Sequence, residues 1–302
     1  MSTDVFKIKA ETIHIVIPVH NRKTYTLGCL RSLRKQTITG FHTIVVDDGS
    51  TDGTGNAVRA EFPGVTVLEG DGNLWWTAAM NMGVEHALNH GAEYIISLND
   101  DLEVSQDYIE KMIFWAEQKP NALFGSYVFD IHTRRPFSAS RREDWRTGKS
   151  TNLLTIIPEE DRKGICQATD FFGTGLWIPS EVFHTIGMFD ARFLPHYGAD
   201  NDFTLRATRY GFETYCNYDA VLYSYVEASG QYECKRTYSI ANYYRCLFGI
   251  KSSKNLKNFT IIAFRHCPRK YLLWYWLYGV ARRIGGYIVD WGHYTLRNFR
   301  MK

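Results

Sequence analysis

The sequence predicts an α/β fold, a mostly parallel sheet flanked by helices, followed by a helical extension rich in basic and aromatic residues. Three observations predict it. Apolar runs of strand length alternate with stretches of helical spacing through the first 120 residues. Two of those runs end in clustered acids, Val45-Val46-Asp47-Asp48-Gly49-Ser50 and Ser97-Leu98-Asn99-Asp100-Asp101, and a third acidic stretch, Gly198-Ala199-Asp200-Asn201-Asp202-Phe203, leads into a helix-like segment. Side chains at the carboxyl ends of neighbouring strands converge on one crevice in an open α/β sheet. From Gln231 to Lys302 the chain then carries 14 Lys and Arg against two Asp and Glu, with 16 aromatic residues.

The elements follow in order. Ile13–Val19 reads as a buried strand that ends near Pro18, and Thr24–Lys35 as a helix with Leu27, Leu30 and Leu33 on one side. His42–Val46 is the second strand, Asp52–Glu61 a helix and Val65–Leu68 a third strand. Trp76–His90 has helical spacing and is closed by Gly91 as a C-terminal cap. Tyr94–Leu98 is a strand, and Ser105–Gln118 a helix with Ser105 as its N-cap. Phe124–Phe129 and Phe171–Ile178 read as strands, separated by a charged, turn-rich excursion over 132–163 that is expected to run along the surface and to face a second substrate. Ser180–Ile186 and Asp202–Gly211 are short helices, Thr214–Val221 is extended, and the chain beyond about Glu227 is helical and amphipathic. The expected division is 1–226 as the catalytic domain and 227–302 as an extension that contacts a membrane or a second copy.

Composition narrows the function classes. The chain has 302 residues and a net charge of +3, which conceals a tail of +12 on a body of −9. An acidic body argues against a nucleic-acid binder, and a cationic aromatic tail suits an anionic membrane surface. The apolar aromatic run Tyr271–Ala281 is 11 residues, short of the roughly 20 needed to cross a bilayer. The six cysteines are widely spaced with no C-x-x-C pair, so neither a zinc site nor a disulfide framework is expected, and a reducing compartment fits. MSTDVFKIKAET lacks an apolar signal core, and the expected location is cytoplasmic, peripheral on the inner face of the cell membrane. No G-x-G-x-x-G follows the first strand, which leaves a Rossmann dehydrogenase without support.

Each acidic stretch carries two readings. Asp47 to Gly53 resembles a calcium loop, but the twelfth position from Asp48 is Arg59 rather than Glu, which excludes an EF-hand. The stretch is either an Asp-rich turn capping the next helix through Ser50 or Asp52, or a site where Asp48 accepts from the imide N–H of uracil or thymine; both hold if Asp48 takes the base and Asp52 the cap. Asn99-Asp100-Asp101 is costly at a strand end unless solvated or bound to a cation, and Mg²⁺ suits such oxygens shared with substrate phosphates. In Gly70-Asp71-Gly72-Asn73-Leu74-Trp75-Trp76 the tryptophans are either core or one wall of a ligand pocket. Asp202 and Arg206 stand at i, i+4 for an ion pair, while Asp200 is placed to act as a general base, with His196 as its rival.

Taken together, Ile17-Pro18-Val19-His20-Asn21-Arg22, Val46-Asp47-Asp48-Gly49-Ser50-Thr51-Asp52, Gly72-Asn73-Leu74-Trp75-Trp76, Leu98-Asn99-Asp100-Asp101, Gly173-Thr174-Gly175 and Ile186-Gly187-Met188-Phe189-Asp190 before Asp200 and Asp202 resemble, in order and spacing, the family 2 inverting glycosyltransferases of the GT-A fold. The resemblance runs from Ile13 to about Tyr225. It implies a nucleotide-sugar donor, a divalent metal (Mg²⁺ or Mn²⁺) and a saccharide acceptor, lipid-linked in bacterial surface polysaccharide synthesis. It places Pro18, His20 and Arg22 at the nucleotide end with Asp48 on the base, Asn73, Trp76, Asn99 and Asp100 around the donor, Asp101 and Asn99 on the metal, and Asp200 and Asp202 at the reaction, with Asp200 as the base. The Asn73 segment resembles rhamnosyltransferase-like members, which points to a dTDP-sugar; UDP-sugars are the other expectation. Ala199 stands where the family usually has Glu, and Val221-Leu222-Tyr223-Ser224 lacks the family's metal-binding His. The alternative is a degenerate relative that binds sugar nucleotide or glycan without transfer.

Overall fold

Ile13, Ile15, Val16 and Ile17 are all fully buried. A strand buried on both faces belongs at the centre of a sheet covered by helices on each side, and Ile13–Val19 (β1) occupies that place in the computed structural model, which describes residues 7–171, 173–228 and 238–300. β1 pairs in parallel with His42–Asp47 (β2) on one side and Tyr94–Ser97 (β4) on the other, and Thr66–Glu69 (β3) adds to β2, also in parallel. Beyond β4 the sheet is mixed. Leu176–Pro179 (β11) runs antiparallel between β4 and Leu123–Asp130 (β6), and Thr214–Ser224 (β12) runs parallel to β6. Leu102–Val104 (β5) and Ile165–Gln167 (β10) both pair with β12 in the opposite sense.

Alternation along the strands sends side chains into two cores. On one face Ile13, Ile15, Ile17, Val45 and Ile96 meet Cys29, Leu30 and Leu33 of Lys23–Leu33 (α1) and Ile109 and Met112 of Tyr108–Gln118 (α4). On the other, Val16, Ile44, Val46 and Ile95 meet Met80, Val84 and Ala87 of Trp75–Asn89 (α3), Val182 and Phe183 of Ser180–Ile186 (α5) and Phe203 of Ala199–Arg209 (α6). Thr54–Glu61 (α2) connects β2 to β3.

Three expectations need correction. Ser105 is not a helix cap: its N–H donates to the Val221 carbonyl at 3.1 Å, extending the sheet, and α4 begins only at Tyr108. The stretch 132–163 is no plain surface excursion. Pro136–Ser138 (β7) pairs with β6, Arg141–Asp144 (β8) and Lys149–Asn152 (β9) form a hairpin, and Ala139, Ser140 and Leu153 are buried. Cys246 is disulfide-bonded, while Cys29, Cys166, Cys216 and Cys267 are free.

After β12, among the described residues, three further helices appear, Ile240–Phe248 (α7), Leu256–His266 (α8) and Arg269–Arg300 (α9). Asn255 caps α8 by accepting from the Asn258 N–H. The Asn258 side chain in turn donates to the Tyr197 carbonyl at 2.8 Å, and Tyr275 of α9 donates to Glu143 of β8 at 3.1 Å. These contacts lay the helices over the carboxyl ends of the strands. Among the described residues no helix is long and apolar enough to cross a membrane.

Candidate active site

A cavity of about 820 Å³ opens where the strands end, walled by the loops after β1, β2 and β4, by the β8–β9 hairpin and by α6, α8 and α9. Of the residues singled out from sequence, Pro18, His20, Arg22, Asp48, Trp76, Asn99, Asp100, Asp101 and Asp200 line it. Asn73 and Asp202 do not. Asn73 is exposed, and its N–H is held by Asp71. Asp202 is fully buried on the far side of α6.

At the β2 end of the cavity, Asp48 is buried and organises the loop before α3. One carboxylate oxygen accepts from the N–H groups of Gly72 (2.8 Å) and Leu74 (3.2 Å), the other from Trp75 N–H (3.1 Å). A carboxylate offers about four acceptor positions, so these three bonds leave Asp48 able to accept one more N–H. Gly49, at φ +67°, lies so close to Gly72 that a Cβ would come within 2.9 Å of its backbone, which only glycine tolerates. His20 Nδ1 is 2.6 Å from the Asp48 carbonyl and therefore donates there, leaving Nε2 to accept from the Asn21 amide at 3.0 Å. Asp52 acts as the expected cap, accepting from Thr54 N–H at 3.0 Å.

The tandem tryptophans divide the work. Trp75 takes φ +57°, a sparsely populated conformation for a bulky side chain, and stays exposed on the cavity rim beside His196, with Lys251 Nζ 5.6 Å from its ring. Trp76 packs edge-on against Phe189 and donates Nε1–H to Asn99 Oδ1 at 3.0 Å. The Asn99 amide donates to Thr174 Oγ1, also at 3.0 Å. Asn99 is thus a clamp between α3 and the Gly173–Gly175 turn, and the side chains brought together at the end of β4 are Asp100 and Asp101.

Those two acids share one guanidinium. Arg22 donates from the same terminal nitrogen to Asp100 Oδ1 at 3.1 Å and Asp101 Oδ2 at 2.9 Å, and its other terminal nitrogen donates to the Ala228 carbonyl. Burial pushes Asp100 up to about 7 against the pull of Arg22, with the Asp101 charge adding to the rise. Asp100 Oδ2 is buried without a hydrogen-bond partner. Two carboxylates with one unsatisfied oxygen fit a Mg²⁺ or Mn²⁺ ion that draws its other ligands from substrate phosphates and water. Among the described residues no cluster of three or more His, Cys, Asp or Glu could complete an all-protein metal site.

Deeper in the cavity, Asp200 stands in the first turn of α6. Its Oδ2 accepts from Gly173 N–H at 2.7 Å and its Oδ1 from Asn201 N–H at 2.9 Å. Gly173 is packed so tightly that a Cβ would fall 2.6 Å from the Trp76 ring. Burial raises the Asp200 pKa despite those two hydrogen bonds. Asp170, missed in the sequence, is buried beside it, accepts from the Asn201 side chain, and is pushed up to about 7 by burial, with the Asp200 charge contributing. Arg141 and Glu143 of β8 also reach the cavity. The one available signal was Asp170 ahead of the Gly173-Thr174-Gly175 turn. His196, the rival base, is held down at about 4 by burial and by the charges of Lys251 and Arg22.

A crevice at the carboxyl ends of parallel strands, lined by Asp48, Asp100, Asp101 and Asp200, together with this strand order, is the arrangement of the GT-A fold. The description "Glycosyl transferase family 2" matches residues 14–187, and the chain belongs to that family. The glycosyltransferase GlyG of Streptococcus pneumoniae serotype 4 is 31% identical over 122 residues, 39% of this chain and 40% of that protein. The chain thus matches well under half the length of this relative. A PGL/p-HBAD biosynthesis glycosyltransferase of Mycobacterium bovis is 26% identical over 201 residues, 65% of this chain and 70% of that one. Among solved structures, the mannosyltransferase PcManGT from Pyrobaculum calidifontis, in complex with GDP-Man and Mn²⁺, superposes with a TM-score of 0.58 at 16% identity over 94% of this chain and 75% of that one. TarS 1-349 of S. aureus, in complex with UDP, gives 0.57 at 13% identity over 90% and 72%. At these identities the structural likeness speaks for the fold alone.

Proposed function

We propose that this chain transfers a sugar from a nucleoside diphosphate to a hydroxyl of a saccharide acceptor, inverting the anomeric centre, in bacterial polysaccharide assembly. The observation that carries the reading is Asp200: an aspartate with raised proton affinity, fixed by two backbone N–H groups, on the same cavity as Asp48, Arg22, Asp100 and Asp101. Asp200 takes the acceptor hydroxyl proton as the oxygen attacks from the face opposite the leaving diphosphate. Asp48 and the Gly72–Trp75 loop receive the base of a UDP- or dTDP-sugar. A divalent ion on Asp100 and Asp101 supplies countercharge to the leaving diphosphate. Much of the acceleration comes from holding donor and acceptor in line within one enclosed cavity.

The acceptor is lipid-linked, and the 227–302 extension docks on the inner face of the membrane. Leu273, Trp274, Leu277, Ile284 and Ile288 form an exposed apolar stripe on α9, flanked by exposed Arg269, Lys270 and Arg282, the pattern of an interfacial helix. Failure to float with anionic vesicles would remove the membrane part. A thermal-shift screen of UDP, dTDP, GDP and CMP sugars, with and without Mg²⁺ or Mn²⁺, tests the donor part, since a ligand of the native state raises apparent stability. A shift with one nucleotide and turnover onto a saccharide are expected. Binding without turnover would favour a glycan- or nucleotide-binding protein instead.

A further inference from the structure

Arg22 is placed between the acids that the donor's metal would use. One terminal nitrogen bridges Asp100 and Asp101, and the other is anchored on the Ala228 carbonyl. The Arg22 side chain is 32% exposed, against 6% and 12% for the two aspartates, so the guanidinium closes the open side of the pair toward the cavity. Asp100 Oδ2 remains buried and unpartnered behind it. A guanidinium does not lose its proton in proteins, so a metal ion arriving at this pair meets a full positive charge at hydrogen-bond distance from both carboxylates. No third metal-type side chain among the described residues stands ready to compensate.

We propose that Arg22 is a resident counter-ion of the acidic pair, which a divalent cation must displace, so that metal and nucleoside diphosphate bind this chain cooperatively. A diphosphate offers the guanidinium a bidentate partner of equal or greater strength. Once Arg22 turns to the phosphates, Asp100 and Asp101 are released for the metal. Without a diphosphate, the metal must break two charge-assisted hydrogen bonds and remain beside the displaced cation. Linkage makes the coupling reciprocal: the metal tightens the nucleotide by the factor with which the nucleotide tightens the metal. The diphosphate rests on the transferase reading; the competition between Arg22 and the cation does not.

The test is Mn²⁺ binding to the 302-residue chain, followed by the electron paramagnetic resonance of free Mn²⁺ and by calorimetry, with and without UDP. Mn²⁺ is expected to bind weakly alone and at least about tenfold more tightly with UDP present, after allowance for Mn²⁺–UDP in solution. Arg22→Gln is expected to bind Mn²⁺ alone about tenfold more tightly than the natural chain, because a neighbouring positive charge has gone, and to lose most of the UDP coupling. Arg22→Lys, which keeps the charge, is expected to stay weak. Equal or weaker Mn²⁺ binding by Arg22→Gln, or the same affinity in the Gln and Lys variants, would overturn the proposal. Should Arg22→Gln fail to fold, judged by near-ultraviolet dichroism, the UDP dependence of the natural chain decides: no coupling, no displacement. If none of the nucleotides in the donor screen binds, the transferase reading fails, yet the comparison of Arg22→Gln with the natural chain still shows whether Arg22 holds the cation's place.

Discussion

Two aspartates two residues apart on α6 show how differently the two faces of one helix are used. Asp200 faces the cavity, where burial raises its proton affinity against the backbone N–H groups of Gly173 and Asn201 and the charge of Arg141. Asp202 faces the C-terminal helices. It accepts from Arg206 at 2.9 Å, Arg265 at 3.1 Å and His266 at 2.9 Å. Burial works against its charge too, but the His266 hydrogen bond and the Arg206 and Arg265 cations outweigh it and hold Asp202 down at about 2. Arg265 also reaches Asp190 at 2.6 Å. A carboxylate short of partners is suited to take a proton, and one saturated with cations is suited to hold two segments together. The first is the residue proposed for the reaction, and the second joins α8 to α6.

The comparison breaks most visibly if the two acids exchange effects. Asp200→Asn is expected to lower transfer about 10³-fold, in the range of a lost general base, with donor affinity unchanged in a thermal-shift titration. The amide oxygen can still accept from Gly173, so the fold should hold. The pH profile follows from the raised proton affinity. The base must be ionised, so kcat/KM should fall on the acid side with a midpoint above the ordinary aspartate value of about 3.9. The Asp200 charge contributes to the raised Asp170, and since such an interaction is mutual, Asp170→Asn should move that midpoint to lower pH. An acid limb at the ordinary value would sink the assignment of Asp200.

Asp202→Ala is expected to do the reverse. It leaves Arg206, Arg265 and His266 facing a vacated site and should cost about 3 kcal/mol in urea unfolding, with turnover per folded molecule changed far less than in Asp200→Asn. The acid stability of the natural chain gives a smaller, independent check. A folded-state pKa depressed to about 2 contributes stability that is present above the unfolded value, near 4, and is lost as pH falls through about 2. The amount is about 2 kcal/mol. Because Asp100, Asp170 and Asp200 change stability in the opposite sense, the check is the difference between the natural chain and Asp202→Ala. A difference that does not shrink from pH 5 to pH 2 would show that Asp202 is not the tie described.

The residues legible from sequence were those whose signal is local. The apolar run of β1, the acids after β2 and β4 and the Asp200 segment each announce themselves within ten residues, because a strand end and a helix start bring their own side chains to the crevice. What stayed illegible depends on distant partners. The Asp202–Arg206 pair could be read at i, i+4, but Arg265 and His266 lie more than 60 positions away, so the same residue was assigned to the reaction when its remaining partners place it in the tie. Arg141 and Asp170 were hidden because an isolated β-bridge, not a motif, joins their backbones. Ser105 had a suitable side chain for a cap, but its backbone was claimed by the sheet and by Gln36, whose amide donates to the Ser105 carbonyl at 2.6 Å.

Asn99 offers the finest distinction, because its sequence reading and its contacts assign it different duties. As a metal ligand it would be needed for Mn²⁺; as a clamp it ties Trp76 to Thr174 and keeps Gly173 against Asp200. Trp76→Phe removes the N–H together with part of the indole that packs against Gly173, leaving Asn99 Oδ1 without that donor, and should cost about 1 kcal/mol for the hydrogen bond with the lost packing in addition. Asn99→Ala loses the bond to Thr174 as well, and the double variant should cost less than the sum of the two by about the one bond they share. Mn²⁺ affinity measured with UDP should stay within about twofold of the natural chain in all three. A selective loss of Mn²⁺ binding in Asn99→Ala, with Trp76→Phe unaffected, would return Asn99 to the metal and would mean that its amide turns away from the clamp when the donor binds.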